Sequence, residues 1–573
     1  MTRYLVTSAL PYINGVKHLG TLAGSLLAAD VYARFRRAQG FETLAICATD
    51  EHGSTTELAA QEAGMGVRAF CDQQYVLQKK AGDGFALAWD HFGRSSNQPN
   101  HDLTQHFARQ LWKNGHLEVR TTKQVYSNAE KRFLQDRFVI GTCPHCGYDR
   151  ARGDQCENCT RVLDPIDLIK PRSALSGSSD IEIRDSTHLF LKQSAFVPQL
   201  RAWIDAHRND WSPLVTSIAN KWLDEGLQDR GITRDVEWGV PVPDDIADGK
   251  LKGKVFYVWF DAPIEYIGAT KEWADANGKG DAWRDWWFGD KADDVVYCQF
   301  MGKDNVPFHT VGFPVTIMGS GEKWKLVDRL KGFNWLNFDG GKFSTSQHRG
   351  VFMDSALEIL PADYWRYYLM ANSPESSDSN FTWEHFAGQV NKDLADVLGN
   401  FVNRVTKFCA ARFDGKVPGE GAYGEEENAL IAELDNRVKT CTEYFEAIDF
   451  RKALAELRAI FVAGNEYLTR AAPWTAIKTD RAKAAVGVRM GLNLVHTFSH
   501  LIWPVMPTAA LAIHKTIQPV AGIDGLIPWP SAPMAKELDQ LAAGQAITPA
   551  DVLFAKITDE QIAEWKQRFG GSE

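Results

Sequence analysis

Apolar and polar positions follow two kinds of order along the chain. Arg3-Tyr4-Leu5-Val6-Thr7 is a short apolar run that predicts a buried strand. A polar, glycine-containing loop follows from Pro11 to Gly20, and apolar positions then recur at helical spacing over residues 21–38. A second strand is predicted over 42–48, ending in Thr49-Asp50-Glu51-His52-Gly53. Strand, loop, helix and strand open a Rossmann-like unit, whose ligands bind outside the carboxyl ends of its strands. From about residue 116 to 228 the pattern changes to short segments, paired cysteines and Ser/Gly-rich turns such as 173–179, which reads as an insertion. Sheet-like runs resume at 255–260 and 295–301, so the first domain is expected to be discontinuous. From about Asp393 onward strand patterns nearly vanish, and Leu394, Val397, Leu398, Phe401, Val402 and Val405 stand at the spacing of a helical bundle. Residues 415–428 predict a loop, the Pro/Gly-rich run 517–535 a linker, and 549–568 a last short helix.

Length and charge narrow the reading. At 573 residues the chain exceeds the roughly 250–300 at which one core stops growing, so several domains are expected. With 44% hydrophobic and 24% charged residues, a disordered or fibrous chain is excluded. The net charge of −10 argues against holding nucleic acid by bulk electrostatics, so an RNA partner has to use local patches. The apolar stretch 501–513 is broken by Pro504 and Pro507 and is shorter than the roughly 20 residues of a membrane span. No membrane segment or cleavable leader is predicted, which points to a cytoplasmic protein. Nine cysteines, four in two tight pairs and Cys47, Cys71, Cys298, Cys409 and Cys441 scattered, suit a reducing compartment with one metal site.

Three motifs carry chemistry. In Ala9-Leu10-Pro11-Tyr12-Ile13-Asn14-Gly15-Val16-Lys17-His18-Leu19-Gly20-Thr21, an imidazole and a backbone-exposing glycine meet a helix N-terminus, a place that binds phosphate. Gly340-Gly341-Lys342-Phe343-Ser344-Thr345-Ser346 is a Gly-rich loop with one ammonium and three hydroxyls, able to close over a triphosphate. Taken singly, each is more often an ordinary loop. Cys143-Pro144-His145-Cys146 and, after nine intervening residues, Cys156-Glu157-Asn158-Cys159 supply four thiolates at the spacing of a closed tetrahedral zinc site, with His145 a bystander. Such a site is structural, and its metal is coupled to folding by about 10–16 kcal/mol in peptide models.

Taken together, the first two motifs resemble the ATP-binding signatures of class I aminoacyl-tRNA synthetases. Ala9 to Leu19, Tyr257-Val258-Trp259-Phe260-Asp261-Ala262-Pro263-Ile264, Gly302-Lys303-Asp304 through Phe308-His309, Gly231-Ile232-Thr233-Arg234-Asp235, the cysteine pairs and Ala472-Pro473-Trp474 extend the resemblance nearly end to end, to the methionyl-tRNA synthetase family. Asp304 to Phe308 and Lys342-Phe343-Ser344 lean towards its archaeal and eukaryotic flavour.

The resemblance implies an α/β fold: a Rossmann-like class I catalytic domain (1–115 and 229–330) interrupted by a zinc-bearing connective insertion (116–228). A stem-contact segment (331–392) with the Gly-rich loop, an α-helical anticodon-binding bundle (393–535) and a tail helix (536–573) follow. It implies ATP-dependent activation of L-methionine to methionyl-adenylate and transfer to initiator and elongator tRNA(Met), releasing pyrophosphate and AMP. One structural Zn2+ and Mg2+ with ATP are the implied cofactors. His18, Thr21, Arg234, Lys342, Ser344 and Thr345 match the catalytic set, and His18, Gly20, Thr21, Gly302, Asp304, Lys342 and Thr345 the ATP contacts. Ala9, Leu10, Tyr12, Asp50, Trp259, Ala262, Pro263, Tyr266 and His309 match the methionine pocket, and Asn400, Arg404 and Trp474 the anticodon contacts. The chain ends without an extra dimerising module, so a monomer is expected.

Two departures stand out. Thr21 replaces a histidine, and Thr345 stands where the family often carries a second lysine, with Gln347-His348 inserted before Arg349. Losing such a donor costs on the order of 10²–10³ in rate unless another cation replaces it, for which Lys342, His348, Arg349 and Arg234 are candidates. The departure at Thr345 motivates an alternative, an RNA-binding or regulatory paralogue with impaired adenylation.

Overall fold

The computed structural model describes residues 2–134, 136–159, 161–343, 349–518 and 525–570, with the side chain of Asp136 left aside. Its centre is a parallel sheet of β1 (Arg3–Ser8), β2 (Glu42–Thr49), β3 (His91–Arg94), β4 (Val295–Gly302) and β5 (Arg329–Phe333) in the order β5-β4-β1-β2-β3. Leu5 of β1 lies opposite Tyr297 on one side and Leu44 on the other. Both faces are covered: Tyr4 and Val6 pack into one apolar core and Leu5 into another, the alternation of a strand that reads as a continuous apolar run. The chain runs outward from β1 to β2 and β3, and later returns to β1's other edge with β4. The crevice of such a sheet therefore opens past the ends of β1 and β4.

The helical run after the first loop starts earlier than the sequence predicts, at Leu19. It contains a π turn, Leu22–Leu26, before the regular helix Leu27–Ala38. A further departure concerns 255–260. Only Val255–Phe256 is a strand, paired with Thr233–Arg234, and Val258–Asp261 is a helical turn leading into Glu265–Ala276. A short run of buried aromatic and β-branched residues does not separate strand from buried helix, and packing decided it.

Residues 117–191 form the inserted antiparallel ladder. Leu117–Ser127 pairs along its length with Ile181–Leu191, and a small sheet of Val139–Thr142, Ala151–Arg152 and Ile169–Ser173 carries the cysteine pairs. Among the described residues no strand follows Ser379–Phe381. The helices Asn400–Arg412, Glu425–Glu446, Phe450–Ala471, Arg481–Ile502 and Pro507–Ile517 then build a bundle. Its core is continuous with the one beneath Tyr4 and Val6. The predicted helix at 549–568 is shorter, Asp559–Phe569, because Thr558 and Gln561 form a capping box that starts it there. Part of the predicted linker, 519–524, lies outside the described residues.

Candidate functional site

The loop after β1 is built around His18. The Thr21 N–H donates to His18 Nδ1 at 3.2 Å, which caps the helix and fixes the ring: Nδ1 accepts, so the proton sits on Nε2 as a donor. Burial, reinforced by Lys17, pushes His18 down to about 4, so the ring is neutral at neutral pH. The loop is tied to the chain just beyond the Gly-rich loop. Leu19 N–H donates to Val351 O (2.9 Å) and Met353 N–H to Lys17 O (2.8 Å).

Phe343 stacks on His18 with ring centroids 4.7 Å apart and planes 14° from parallel. A Cβ on Gly20 would stand 2.9 Å from His18 Nδ1 and 3.2 Å from Phe343, so this close approach requires glycine. His18, Gly20, Thr21, Gly302, Asp304 and Lys342 line one cleft, with Asn305, Trp335 and Phe343. The ammonium groups of Lys342 and Lys303 lie 4.5 and 4.2 Å from the Trp335 ring. Lys303 is paired with Asp378 at 2.7 Å, whereas Lys342 is exposed. Ser344, Thr345 and His348 lie outside the described residues.

Arg234 does not line this cleft. Its guanidinium stacks on Tyr257 at 3.7 Å and donates to the carbonyls of Gly231 and Thr233, facing a larger cleft between the sheet and the insertion. Arg349 is likewise committed, to the carbonyls of Phe338 and Asp339.

Beside the first cleft lies a pocket lined by Ala9, Leu10, Tyr12, Asp50, Trp259, Ala262, Pro263, Tyr266 and His309, joined by Asn305 and Phe308. Pairing of β1 and β2 continues past both strand ends, Asp50 N–H to Pro11 O and Ile13 N–H to Asp50 O, each at 2.9 Å, and this places the Asp50 side chain. Asp50 is 5% exposed, and its Oδ1 has no hydrogen-bond partner. Burial raises its carboxyl well above the usual range, and Asp261 and Glu51 add to the effect against Lys17.

The pocket walls are aromatic and neutral. Trp259 lies 4.2 Å from Phe308 between ring centroids and is covered by Arg230 at 4.7 Å. His309 donates from Nδ1 to Asn305 O (2.9 Å), leaving Nε2 to accept from the Tyr266 hydroxyl (2.9 Å). Burial pulls His309 down to about 4. Phe308 and His309 sit in a π turn, Phe308–Gly312, a geometry frequent at functional sites.

Several residues that hold the pocket were not found from sequence. His52 Nδ1 bonds Asp261 Oδ2 at 2.7 Å in the interior, and Arg94 grips Glu51 with bonds of 2.8 and 3.1 Å. The polar run after β2 was the available signal, but its partners are about 40 to 210 residues away. Phe343 and Asn305 lay within recognised motifs without any residue-type signal for their roles.

In the insertion, the Sγ atoms of Cys143, Cys146, Cys156 and Cys159 all lie within 4.8 Å of one another. The Cys143–Cys159 pair is at 3.8 Å and Cys146–Cys156 at 3.6 Å. Tetrahedral zinc with bonds of about 2.3 Å sets sulfurs about 3.8 Å apart, so the four thiols fit zinc. Asn158 Nδ2 donates to Cys146 Sγ, while His145 Nδ1 is engaged by Arg161 at 3.2 Å, away from ligand duty.

In the helical region Asn400 and Arg404 stand one turn apart on the exposed face of Asn400–Arg412. The Arg404 guanidinium lies 4.2 Å from the Trp474 ring. Trp474 is presented by Ala472, a non-glycine residue held at φ 38°, ψ 58° ahead of Pro473. Backbone strain of this kind concentrates at functional sites.

The family described as tRNA synthetases class I (M) matches residues 4–406, and the anticodon binding domain of methionyl tRNA ligase matches 417–573. The chain is 58% identical to the methionine–tRNA ligase of Cereibacter sphaeroides and 59% identical to those of Maricaulis maris and Caulobacter vibrioides, over 100% of each chain. Among solved structures, a Mycobacterium tuberculosis methionyl-tRNA synthetase bound by methionyl-adenylate is similar with a TM-score of 0.76 at 23% identity, covering 97% of this chain and 100% of that one. The free-state structure of that enzyme gives 0.71 over 97% and 98%. At this identity the likeness is one of fold.

Proposed function

Because the chain belongs to the methionyl-tRNA synthetase family of class I aminoacyl-tRNA synthetases, ligases that charge tRNA with methionine, we propose that the Trp259–Asp50 pocket takes L-methionine and the His18–Lys342 cleft takes ATP. One observation carries this assignment: Asn305 lines both spaces, so an amino acid whose ammonium meets the unpartnered Asp50 carboxylate lies beside a nucleotide held at the His18 helix. The unbranched thioether packs between Trp259, Ala262 and Pro263, and the Tyr266–His309 pair offers the sulfur a neutral contact.

In the activation step a methionine carboxylate oxygen bonds to the α-phosphorus in line as the bond to pyrophosphate breaks. His18 donates from Nε2 to the phosphoryl oxygens, and Lys342 neutralises the charge that builds on the triphosphate. Mg2+ accompanying ATP would add neutralisation of the triphosphate charge to that of Lys342. In transfer, the terminal ribose 2′-OH of the tRNA attacks the adenylate carbonyl and AMP leaves. Asn400, Arg404 and Trp474 read the anticodon of initiator and elongator tRNA(Met), with Trp474 and the Arg404 plane as stacking surfaces. The four cysteines hold one Zn2+, which fastens the insertion. The reading includes cytoplasmic location, a monomer, and division of the chain at about residues 116, 229, 331, 393 and 536.

Amino-acid-dependent ATP–pyrophosphate exchange tests the assignment. Methionine supports exchange, while leucine, isoleucine, valine and cysteine do not, and Lys342→Ala lowers the rate on the order of 10²–10³-fold. Absence of exchange with every amino acid, together with retained tRNA binding and recovery in Thr345→Lys, would replace this reading by the regulatory paralogue. Arg404→Ala raises KM for tRNA about 5- to 150-fold, the equivalent of one lost stacking contact of roughly 1–3 kcal/mol, and leaves exchange unchanged. Equal loss in both assays would remove Arg404 from the anticodon face.

A further inference from the structure

Three histidines that the charging reaction does not use are gathered inside the helical bundle. His496 and His500 are one turn apart on Arg481–Ile502, and His514 faces them from Pro507–Ile517. Their ring centroids are 4.4, 5.4 and 5.3 Å apart. All are buried, at 2, 9 and 3% exposure. One nitrogen from each lies within 4.8 Å of the other two.

The hydrogen bonds around them set two of the tautomers. His500 donates from Nδ1 to Pro528 O at 2.8 Å, so its Nε2 carries a lone pair. The Ser499 hydroxyl spends its proton on His496 O (2.6 Å), so towards His514 Nδ1, 3.3 Å away, it accepts. His514 Nε2 therefore also carries a lone pair. An imidazole tied through Nδ1–H to an oxygen, with Nε2 free, is the form in which histidine ligates metals. His496 Nε2 is 3.2 Å from His500 Nε2, while its Nδ1 is buried without a partner. Zinc–nitrogen bonds of about 2.0–2.1 Å in a tetrahedron set nitrogens about 3.3 Å apart, so this edge already has the spacing of a metal site.

We propose that His496, His500 and His514 form a second metal site, taking a divalent first-row cation of the zinc type with water as the fourth ligand. On binding, the His496 proton moves from Nε2 to the unpartnered Nδ1, so no proton is lost to solvent. The site is a brace. It joins two helices of the bundle, and Pro528, which holds His500, leads directly into Trp529, whose N–H donates to Ala38 O at 2.8 Å. Ala38 ends the helix that His18 begins. The ion therefore secures the bundle to the catalytic helix.

The test is zinc content and X-ray absorption at the zinc edge on the full chain, stripped by chelator and reloaded with Zn2+. The expected result is about two zinc ions per chain, with a mixed shell of sulfur and nitrogen/oxygen ligands. His500→Gln and His514→Gln reduce this to one zinc in a purely sulfur shell. Should a histidine variant fail to fold, the wild-type spectrum decides by itself. One zinc per chain in an all-sulfur shell overturns the proposal, and so does a second zinc whose binding is unchanged in both variants.

Discussion

Replacing Asp50 by alanine lowers kcat/KM for methionine in pyrophosphate exchange by about 30-fold to a few thousandfold and leaves the KM for ATP within a few-fold of wild type. The range corresponds to the roughly 2–5 kcal/mol lost when one partner of a buried charge pair is truncated. Asp50 is 5% exposed with an unpartnered oxygen, and Lys17 only partly offsets burial and the nearby Asp261 and Glu51, so on the proposed reading the substrate ammonium supplies the direct partner that this carboxyl lacks. The sign of the pH dependence follows. Without methionine the carboxyl titrates well above its usual range, and binding of the ammonium draws it into the carboxylate form, so binding releases a proton. Apparent methionine affinity therefore rises with pH through the Asp50 titration and weakens as pH falls. Asp50→Asn, which cannot titrate, flattens that slope. An Asp50→Ala enzyme whose methionine kcat/KM stays within threefold of wild type would mean that the ammonium is held elsewhere.

Asp50 falls in the polar run at the end of a predicted strand, where a parallel sheet presents its ligands, but that rule covers Thr49, Glu51 and His52 equally, and only the family resemblance singles out Asp50. His18 was legible as an imidazole near a helix start, but its role as the cap shows only in the fold, where the helix begins at Leu19 rather than at residue 21. The cysteine pairs were legible from spacing alone. What failed to show was whatever depends on a distant partner. Arg234 belongs to a motif, yet Tyr257 and two carbonyls hold it in the larger cleft, and only the folded chain reveals that commitment. Tyr257 to Phe260 look like strand because the run is apolar throughout, and periodicity carries no information where every side is covered. The histidines at 496, 500 and 514 carry no sequence signal for a related reason: two lie in one helix at ordinary core spacing, and the third comes from another helix.

Arg366 is the least conspicuous of these distant partners and the one with the largest expected effect on stability. Its guanidinium is fully buried at the joint between sheet and bundle, bonded to Asp30 Oδ2 (2.6 Å), Phe85 O (3.0 Å), Pro504 O (3.1 Å) and Val505 O (2.7 Å). Asp30 lies in the helix that His18 opens and also accepts from Arg34 at 3.0 Å. Burial works to raise the Asp30 carboxyl, but Arg34, Arg366 and the Ala88 N–H together hold it below its ordinary value. Arg366→Ala removes one of two cations and four donated bonds, and it lowers stability by about 3–5 kcal/mol, the cost of leaving a buried charge poorly compensated. Asp30→Asn/Arg366→Met, which removes charge from both sides, costs less than the sum of its single changes. A depressed carboxylate adds stability that is present above the unfolded pKa and lost as pH falls through the folded one, so wild type resists acid here. Without Arg366 the folded carboxyl rises, and that contribution shrinks: Arg366→Ala unfolds at higher pH than wild type, and its urea midpoint at neutral pH is lower. Urea midpoints and acid transitions that coincide for wild type and Arg366→Ala would show that the pair only breaks even against its desolvation. The joint would then rest on the apolar core that runs beneath it.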